Sequence, residues 1–362
     1  MAQITTMPTS RNALVTSKNG GRLELAHDVE IPSLQPDMML CRVRAVGLNP
    51  GDVKSSDYTS CSGLISGFDF AGEILEVGVG VERFKKGDRI AGFAHGYNSD
   101  DKSTGAFSDI VLADQNFALV LPEDWTYGQG AVLGTALGTA GFALSHYLNI
   151  PLPVHGCEER NNDGGEYVLV SGGATATGIM AIQLLSMAGF RPVATCSPAK
   201  SALVRSLGAV ATFDYHSSTC GADIRLLTRN KLTRVLDCIT TAESMTMCYT
   251  AIGSSGGRYI GLDPISPHVK YSRRDVSADW AMAVAMFGYP VRLVGDYGRA
   301  AAPALRELAK GIYSTGKMLI SKGFLQRPLT QIRAGGLAAV IEGIDDLRQG
   351  RVTGTKLVYK LD

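Results

Sequence analysis

The 362-residue chain is short of several things, and each shortage closes a class of function. It has almost no charge imbalance, because 35 Lys and Arg stand against 34 Asp and Glu, a formal net charge of +1. No window gathers the basic cluster that counterion release from a polyanion needs, so nothing points to nucleic acid. No stretch reaches about 18 uninterrupted apolar residues; even the run from Ala131 to Leu148 is broken by Gly, Thr, Ser and His. A membrane-spanning helix is therefore not expected. The opening Met-Ala-Gln-Ile-Thr-Thr-Met-Pro-Thr-Ser lacks a charged start followed by an apolar core, so no secretory signal is read there and a cytoplasmic location is expected. The seven cysteines (41, 61, 157, 196, 220, 238 and 248) are odd in number and form no C-x-x-C pair, which favours reduced, mostly buried thiols over a disulfide framework or a zinc cage. There is no internal repeat and no low-complexity stretch.

What is present is a folded, turn-rich composition: 45% hydrophobic, 19% charged, 42 glycines. The length exceeds one ordinary core and predicts two domains. From about residue 11 to 120, short apolar runs such as 39–47, 71–78 and 88–93 sit between turn signals, the pattern of a β-rich half. Residues 125–148 change to Ala/Leu-rich helical spacing, and 151–165 make a polar, breaker-rich excursion read as a surface loop near a domain junction. Beyond it, strand-like runs at 167–171, 192–196, 211–215, 235–240 and 258–262 alternate with helical segments such as 179–188 and 200–207. Such alternation buries apolar strands between two layers of helices, a doubly wound parallel sheet. Residues 335–350 read as an amphipathic helix and 354–361 as a closing strand that returns to the β-rich half.

The strand at 167–171 runs straight into Gly172-Gly-Ala-Thr-Ala-Thr-Gly178 and then a helical run. Glycines at such a turn let backbone approach a pyrophosphate, whose charge meets N–H groups at the helix start, and Thr175 and Thr177 add hydroxyl donors. The spacing is not G-x-G-x-x-G, and on the glycines alone an ordinary strand–helix turn fits as well; the position inside a βαβ unit favours a dinucleotide. The next strand ends without the Asp or Glu that would grip the ribose 2′-OH of NADH. Ser197 and Lys200 stand in that place and can donate to a 2′-phosphate, which selects NADPH; the alternative is that Lys200 is only the solvated start of a helix. Tyr215, after Asp214, either lays its ring near the adenine ribose or simply closes its strand.

Taken together these segments resemble the medium-chain dehydrogenase/reductase superfamily over nearly the whole chain. The resemblance is carried by Val46-Gly-Leu-Asn-Pro-Gly-Asp-Val-Lys54, Gly67-Phe-Asp-Phe-Ala-Gly-Glu73, Val77-Gly-Val-Gly80, Lys86-Gly-Asp-Arg-Ile90, Gly105-Ala-Phe-Ser108 and the helix and strand at 344–359. Within it, Gly138-Thr-Ala-Gly141, Ala194-Thr-Cys-Ser-Pro198, Phe213-Asp-Tyr215, Leu236-Asp-Cys-Ile-Thr240 and Ala278-Asp-Trp280 resemble the fungal trans-acting enoyl reductases of iterative polyketide synthases, the lovastatin type. The resemblance implies an α/β fold with a GroES-like β-rich catalytic domain over 1–135, a doubly wound Rossmann domain binding NADPH over 136–315, and a return to the catalytic domain over 316–362. It implies cofactor contacts from Gly51, Asp52, Val53, Lys54, Ala174, Thr175, Ala176, Thr177, Ser197, Pro198, Ala199, Lys200, Tyr215, Leu262, Asp263, Val352 and Thr353. Substrate contacts would come from Thr139, Ala140, Gly141, Phe142, Ala143, Leu144, Ser145 and His146, and from Met282, Ala283, Val284, Ala285 and Met286, the methionines forming a bulky, flexible lining. The implied partners are a carrier-bound polyketide chain and its polyketide synthase. This branch implies a monomer, whereas the superfamily commonly dimerises through a sheet edge.

Zinc-dependent alcohol dehydrogenases need three soft or imidazole ligands around an open position. Here the segment that would carry a His-Glu pair reads Phe68-Asp69, no Cys/His trio has metal spacing, and none of the histidines 27, 95, 146, 155, 216 and 268 is paired at i, i+4. A metal is not expected. The chemistry most compatible with NADPH alone is conjugate reduction, in which hydride reaches the β-carbon of an α,β-unsaturated carbonyl and charge builds on the carbonyl oxygen. Lys54 is the first candidate for a cation beside that oxygen and Thr139 for a hydroxyl donor, although a lysine is more often solvated surface. A quinone or enal reductase of the same fold, and a non-reducing accessory protein docked on a synthase, are the competing readings.

Overall fold

The computed structural model describes residues 9–18, 21–153 and 164–361. The predicted surface loop at 151–165 falls largely, and His155 and Cys157 wholly, outside the described residues. The chain divides into two compact units. One comprises residues 1–135, 289–301 and 329–362, the other 136–288 and 302–328.

The first unit is built on a seven-stranded sheet. Its ten-residue strand Met38–Gly47 is buried except at the half-buried Met38, Arg42 and Arg44, and pairs antiparallel along one side with Asp69–Val77. Along the other side it meets two strands end to end: Ile110–Asp114 against residues 38–42, and Lys356–Lys360 against residues 45–47. Strand Lys356–Lys360 thus lies in the sheet of the first unit. Gly47 lies opposite Asp69 on one flank and opposite Val358 on the other. That register fixes which side chains can meet at the end of the strand, because neighbouring strands lie only about 5 Å apart. A separate hairpin pairs Ser10–Thr16 with Leu23–Glu30.

The second unit holds six parallel strands: Tyr167–Ser171, Arg191–Thr195, Ala211–Phe213, Arg234–Asp237, Gly257–Gly261 and Val276–Trp280. Numbered 1 to 6 along the chain, they lie in the order 3-2-1-4-5-6. This is the doubly wound arrangement that the strand–helix alternation predicts. Short β-branched runs such as Tyr167-Val-Leu-Val-Ser171, with Val168, Leu169 and Val170 wholly buried, are what a strand covered on both faces requires. One of its cores joins Leu169, Val193, Val235 and Tyr259 from the sheet to Ile224, Met245 and Cys248 from helices.

Candidate functional site

In the six-stranded sheet the strand order reverses between strands 1 and 4, and ligands of open α/β sheets bind outside the carboxyl ends at such a switch point. Strand 1 ends there at Ser171, and helix Ala176–Met187 begins five residues later. Thr175 is the N-cap. Its hydroxyl accepts from the Gly178 N–H at 3.0 Å and donates to the Gly172 carbonyl at 2.8 Å. The hydroxyl expected to donate to a phosphate is therefore spent on closing the turn and on the Gly178 N–H, and what the helix start offers an anion is the N–H groups of Ala176 and Thr177, which have no intrahelical acceptor. Gly178 is required: a Cβ there would lie 2.4 Å from the Gly172 carbonyl oxygen. Thr195, at the end of strand 2, holds the turn from the neighbouring side, accepting from Gly172 N–H through its hydroxyl at 3.1 Å and from Gly173 N–H through its carbonyl at 2.8 Å.

Pairing of strands 2 and 3 sets Thr195 opposite Phe213, so Ser197 and Tyr215 follow their strands by the same two residues. Ser197 opens a single 3-10 turn over Pro198–Lys200 without capping it by its side chain, and the Tyr215 ring is about half exposed. Asp214, next to it, binds His216, whose backbone N–H and ring hold the carboxyl below its ordinary range. Leu262, beyond strand 5, donates its N–H to Thr240 Oγ1 at 2.9 Å. The expected cofactor residues at 174–177, 197–200, 215 and 262–263 thus lie along the carboxyl edge of one sheet.

The two expected substrate stretches meet in the same unit. Helix Gly134–Phe142 runs into a π-helical turn over Ala143–Tyr147, a geometry frequent at functional sites. A Cβ at Gly138 would lie 2.7 Å from the Tyr313 hydroxyl and 3.1 Å from Met286 Cε, so the absence of a side chain there lets the two stretches touch. Thr139 is buried. His146 is exposed and stacks on Phe142, ring centroids 5.2 Å apart. Met286 is wholly buried and Met282 nearly so; of residues 282–286 only Ala283 is half-buried. The methionines are packing elements here.

In the first unit, helix Pro50–Tyr58 carries Gly51, Val53 and Lys54 at half-buried positions. Asp52 is wholly buried: it caps its own helix, accepting from the Asn49 N–H at 2.7 Å. Burial pushes its carboxyl up to about 8, helped by Asp69 and opposed by the Asn49 hydrogen bonds and the charge of Lys356. Asn49 Nδ2 donates to Asp69 Oδ2 at 3.0 Å, and Asn49 Oδ1 accepts from Lys356 Nζ at 2.7 Å. The Lys356 ammonium also binds Asp69 Oδ2 directly, and Asp69 Oδ1 accepts from the Thr135 N–H at 2.7 Å. Phe68, beside Asp69 where a zinc site's His-Glu pair would lie, packs against the rings of Phe93 and Tyr97. Among the described residues no group of three or more His, Cys, Asp or Glu side chains could hold a metal ion. Val352 and Thr353 lie in an irregular segment leading into the strand of Lys356, Thr353 exposed. Sequence reasoning missed Asn49 and Lys356; Asn49 had a local signal, standing three residues before an acid at a helix start, and Lys356 had none.

Residues 35–123 match the family model "Alcohol dehydrogenase GroES-like domain", and residues 176–262 match "Zinc-binding dehydrogenase". The chain is 46% identical to a trans-enoyl reductase of Gibberella fujikuroi over 349 residues, covering 96% of this chain and 99% of that one. It is 46% identical to the trans-enoyl reductase grgB of a Penicillium species, covering 98% and 99%. Among solved structures, the CurK enoyl reductase superposes with a TM-score of 0.74 at 20% identity, over 98% of this chain and all of that one. The quinone oxidoreductase from Coxiella burnetii superposes with a TM-score of 0.66 at 22% identity, again over 98% and 100%. At such identities the structures speak for the fold alone.

Proposed function

The chain belongs to the trans-enoyl reductase family of the medium-chain dehydrogenases/reductases, and from that premise we propose that it reduces α,β-unsaturated thioesters carried by a partner polyketide synthase, with NADPH as reductant. An oxidoreductase using a nicotinamide cofactor is what the family itself comprises. The observation that carries the finer reading is the donor set at the carboxyl edge of the sheet. The first turn of helix Ala176–Met187 suits a pyrophosphate. Ser197 and Lys200 offer a hydroxyl and a cation, with no acid at the end of their strand to repel a 2′-phosphate. The residues present therefore fit NADPH, which when bound supplies a hydride for the β-carbon.

The chain's own part is to hold the acceptor and steady the charge that grows on its thioester carbonyl oxygen as the α-carbon awaits a proton. Lys54 is the cation for that oxygen and Thr139 a hydroxyl donor. Ser145, His146 and Ala283 are the most exposed members of the two substrate stretches. The six described cysteines are unpaired, in keeping with work in the reducing cytoplasm.

The test is consumption of NADPH on adding a crotonyl-pantetheine thioester, run beside NADH and beside a quinone. The expected result is turnover of the thioester with NADPH and a rate at least about tenfold lower for Lys54→Ala. Equal use of NADH overturns the cofactor, preference for the quinone overturns the substrate class, and undiminished turnover in Lys54→Ala overturns that residue's role.

A further inference from the structure

Helix Pro50–Tyr58 is nine residues long, and the side chains it buries are Asp52, Ser55 and Ser56. Helices of this length are held by an apolar face packed on a core, which this one lacks. Its far end is held by Arg348 on Asp57 and by the Gly21 and Val294 N–H groups on the Ser56 and Tyr58 carbonyls, and what sets its start lies at its N-terminal end. Asn49 closes the helix start through its own backbone and Asp52, while its amide side chain reaches outward to Asp69 and to Lys356. Those two residues are 20 and 307 positions away in sequence and bind each other. They come from the two strands that flank residues 45–47, so the sheet register delivers both to the residue that starts the helix. Asp69 and Lys356 are both buried, and both carboxylate oxygens of Asp69 are in use.

An ion pair withdrawn this far from water returns little net stability, since apolar replacement of such pairs is often neutral or better. Its distinctive property is geometric: three directional bonds meeting on one asparagine fix where the helix starts. We propose that the Asn49–Asp69–Lys356 cluster is a positioning device for Lys54, setting where the helix presents that ammonium. The inference rests on the role given to Lys54 above.

The experiment compares Lys54→Ala, the neutral double variant Asp69→Asn/Lys356→Met, and the combination of all three, by thermal unfolding and by steady-state reduction of crotonyl-pantetheine. The double variant is expected to melt cooperatively near the wild-type temperature and to lose about ten- to a hundredfold in kcat, with KM for the thioester changed less than about threefold. Adding Lys54→Ala to it is expected to cost nothing further, because both changes remove one function. Full additivity of the two losses, or an undiminished kcat in the double variant while Lys54→Ala is impaired, overturns the positioning role alone. An undiminished Lys54→Ala removes the premise and the inference with it. If the double variant does not fold, Asn49→Ala, which leaves the ion pair intact and cuts both its links to the helix, is read by the same cycle.

Discussion

Asp69 in the first unit and Asp237 in the second are both wholly buried, and their carboxylates are met in different ways. In the first unit Asp69 is met by a full cation, the Lys356 ammonium, delivered from the far end of the sequence. In the second, Asp237 at the end of strand 4 is met by neutral donors: the Tyr259 hydroxyl at 2.8 Å and the Ser244 hydroxyl at 2.6 Å on one oxygen, the Ile239 N–H at 3.0 Å on the other. A neutral donor can be lost and its neighbours still solvate the charge. Asp69 too has neutral donors, Asn49 Nδ2 and the Thr135 N–H, but its charge is met by Lys356, and losing that ammonium removes a counterion where Asp237 would lose one neutral donor of three.

That contrast can be broken by experiment. Lys356→Met strands a buried carboxylate and is expected to cost about 3–5 kcal/mol in denaturant unfolding. A cost near zero would mean that Asn49 and Thr135 suffice, and the two sites would then be alike. Asp52, beside the first site, gives an effect on the order of a few kcal/mol, read through pH. Its folded-state carboxyl, pushed up to about 8 chiefly by burial, keeps a proton that the unfolded chain gives up near its ordinary value of 3.8. Between about pH 4 and 8 the folded form therefore holds more protons, and its stability falls as pH rises through that window. Asp52→Asn is expected to flatten the fall in melting temperature; parallel profiles for variant and wild type would show that Asp52 titrates normally. The smallest effect is expected from Tyr259→Phe, about 1–3 kcal/mol, since Ser244 and Ile239 remain on Asp237. A larger loss there than in Lys356→Met would invert the comparison.

Much of the second unit was legible in the sequence because its information is local. A strand, a glycine turn and a helix follow one another within 25 residues, and the alternation of such pieces dictates a parallel sheet whose carboxyl ends lie together. The part that was not legible there is atomic detail. Thr175 looked like a phosphate donor, yet its position as N-cap commits its hydroxyl to Gly178 and Gly172. Met286 looked like a lining residue, yet Gly138 admits it into full burial. In the first unit the essential facts are long-range. Asp69 could be seen to replace an expected zinc-site acid, but its partner could not be found by any period or spacing, because pairing across 287 residues is decided by sheet register alone. Residues 289–301, which belong to the first unit although they interrupt the second, carry no compositional mark either. The Tyr297 ring lies 4.5 Å from that of Tyr58, and Val294 donates to the Tyr58 carbonyl, so this segment holds the other end of helix Pro50–Tyr58.

The separation of Asn49 from Lys356 also has a meaning in time. A ribosome adds about 5–20 residues per second, so the asparagine and Asp69 exist for many seconds before the lysine 307 positions later can reach them. During that interval a carboxylate destined for a dry interior has no counterion, and its sheet cannot close around it without leaving the charge stranded. The strand Lys356–Lys360 therefore works as a closing latch: the first unit can become native only after residue 356 has been made.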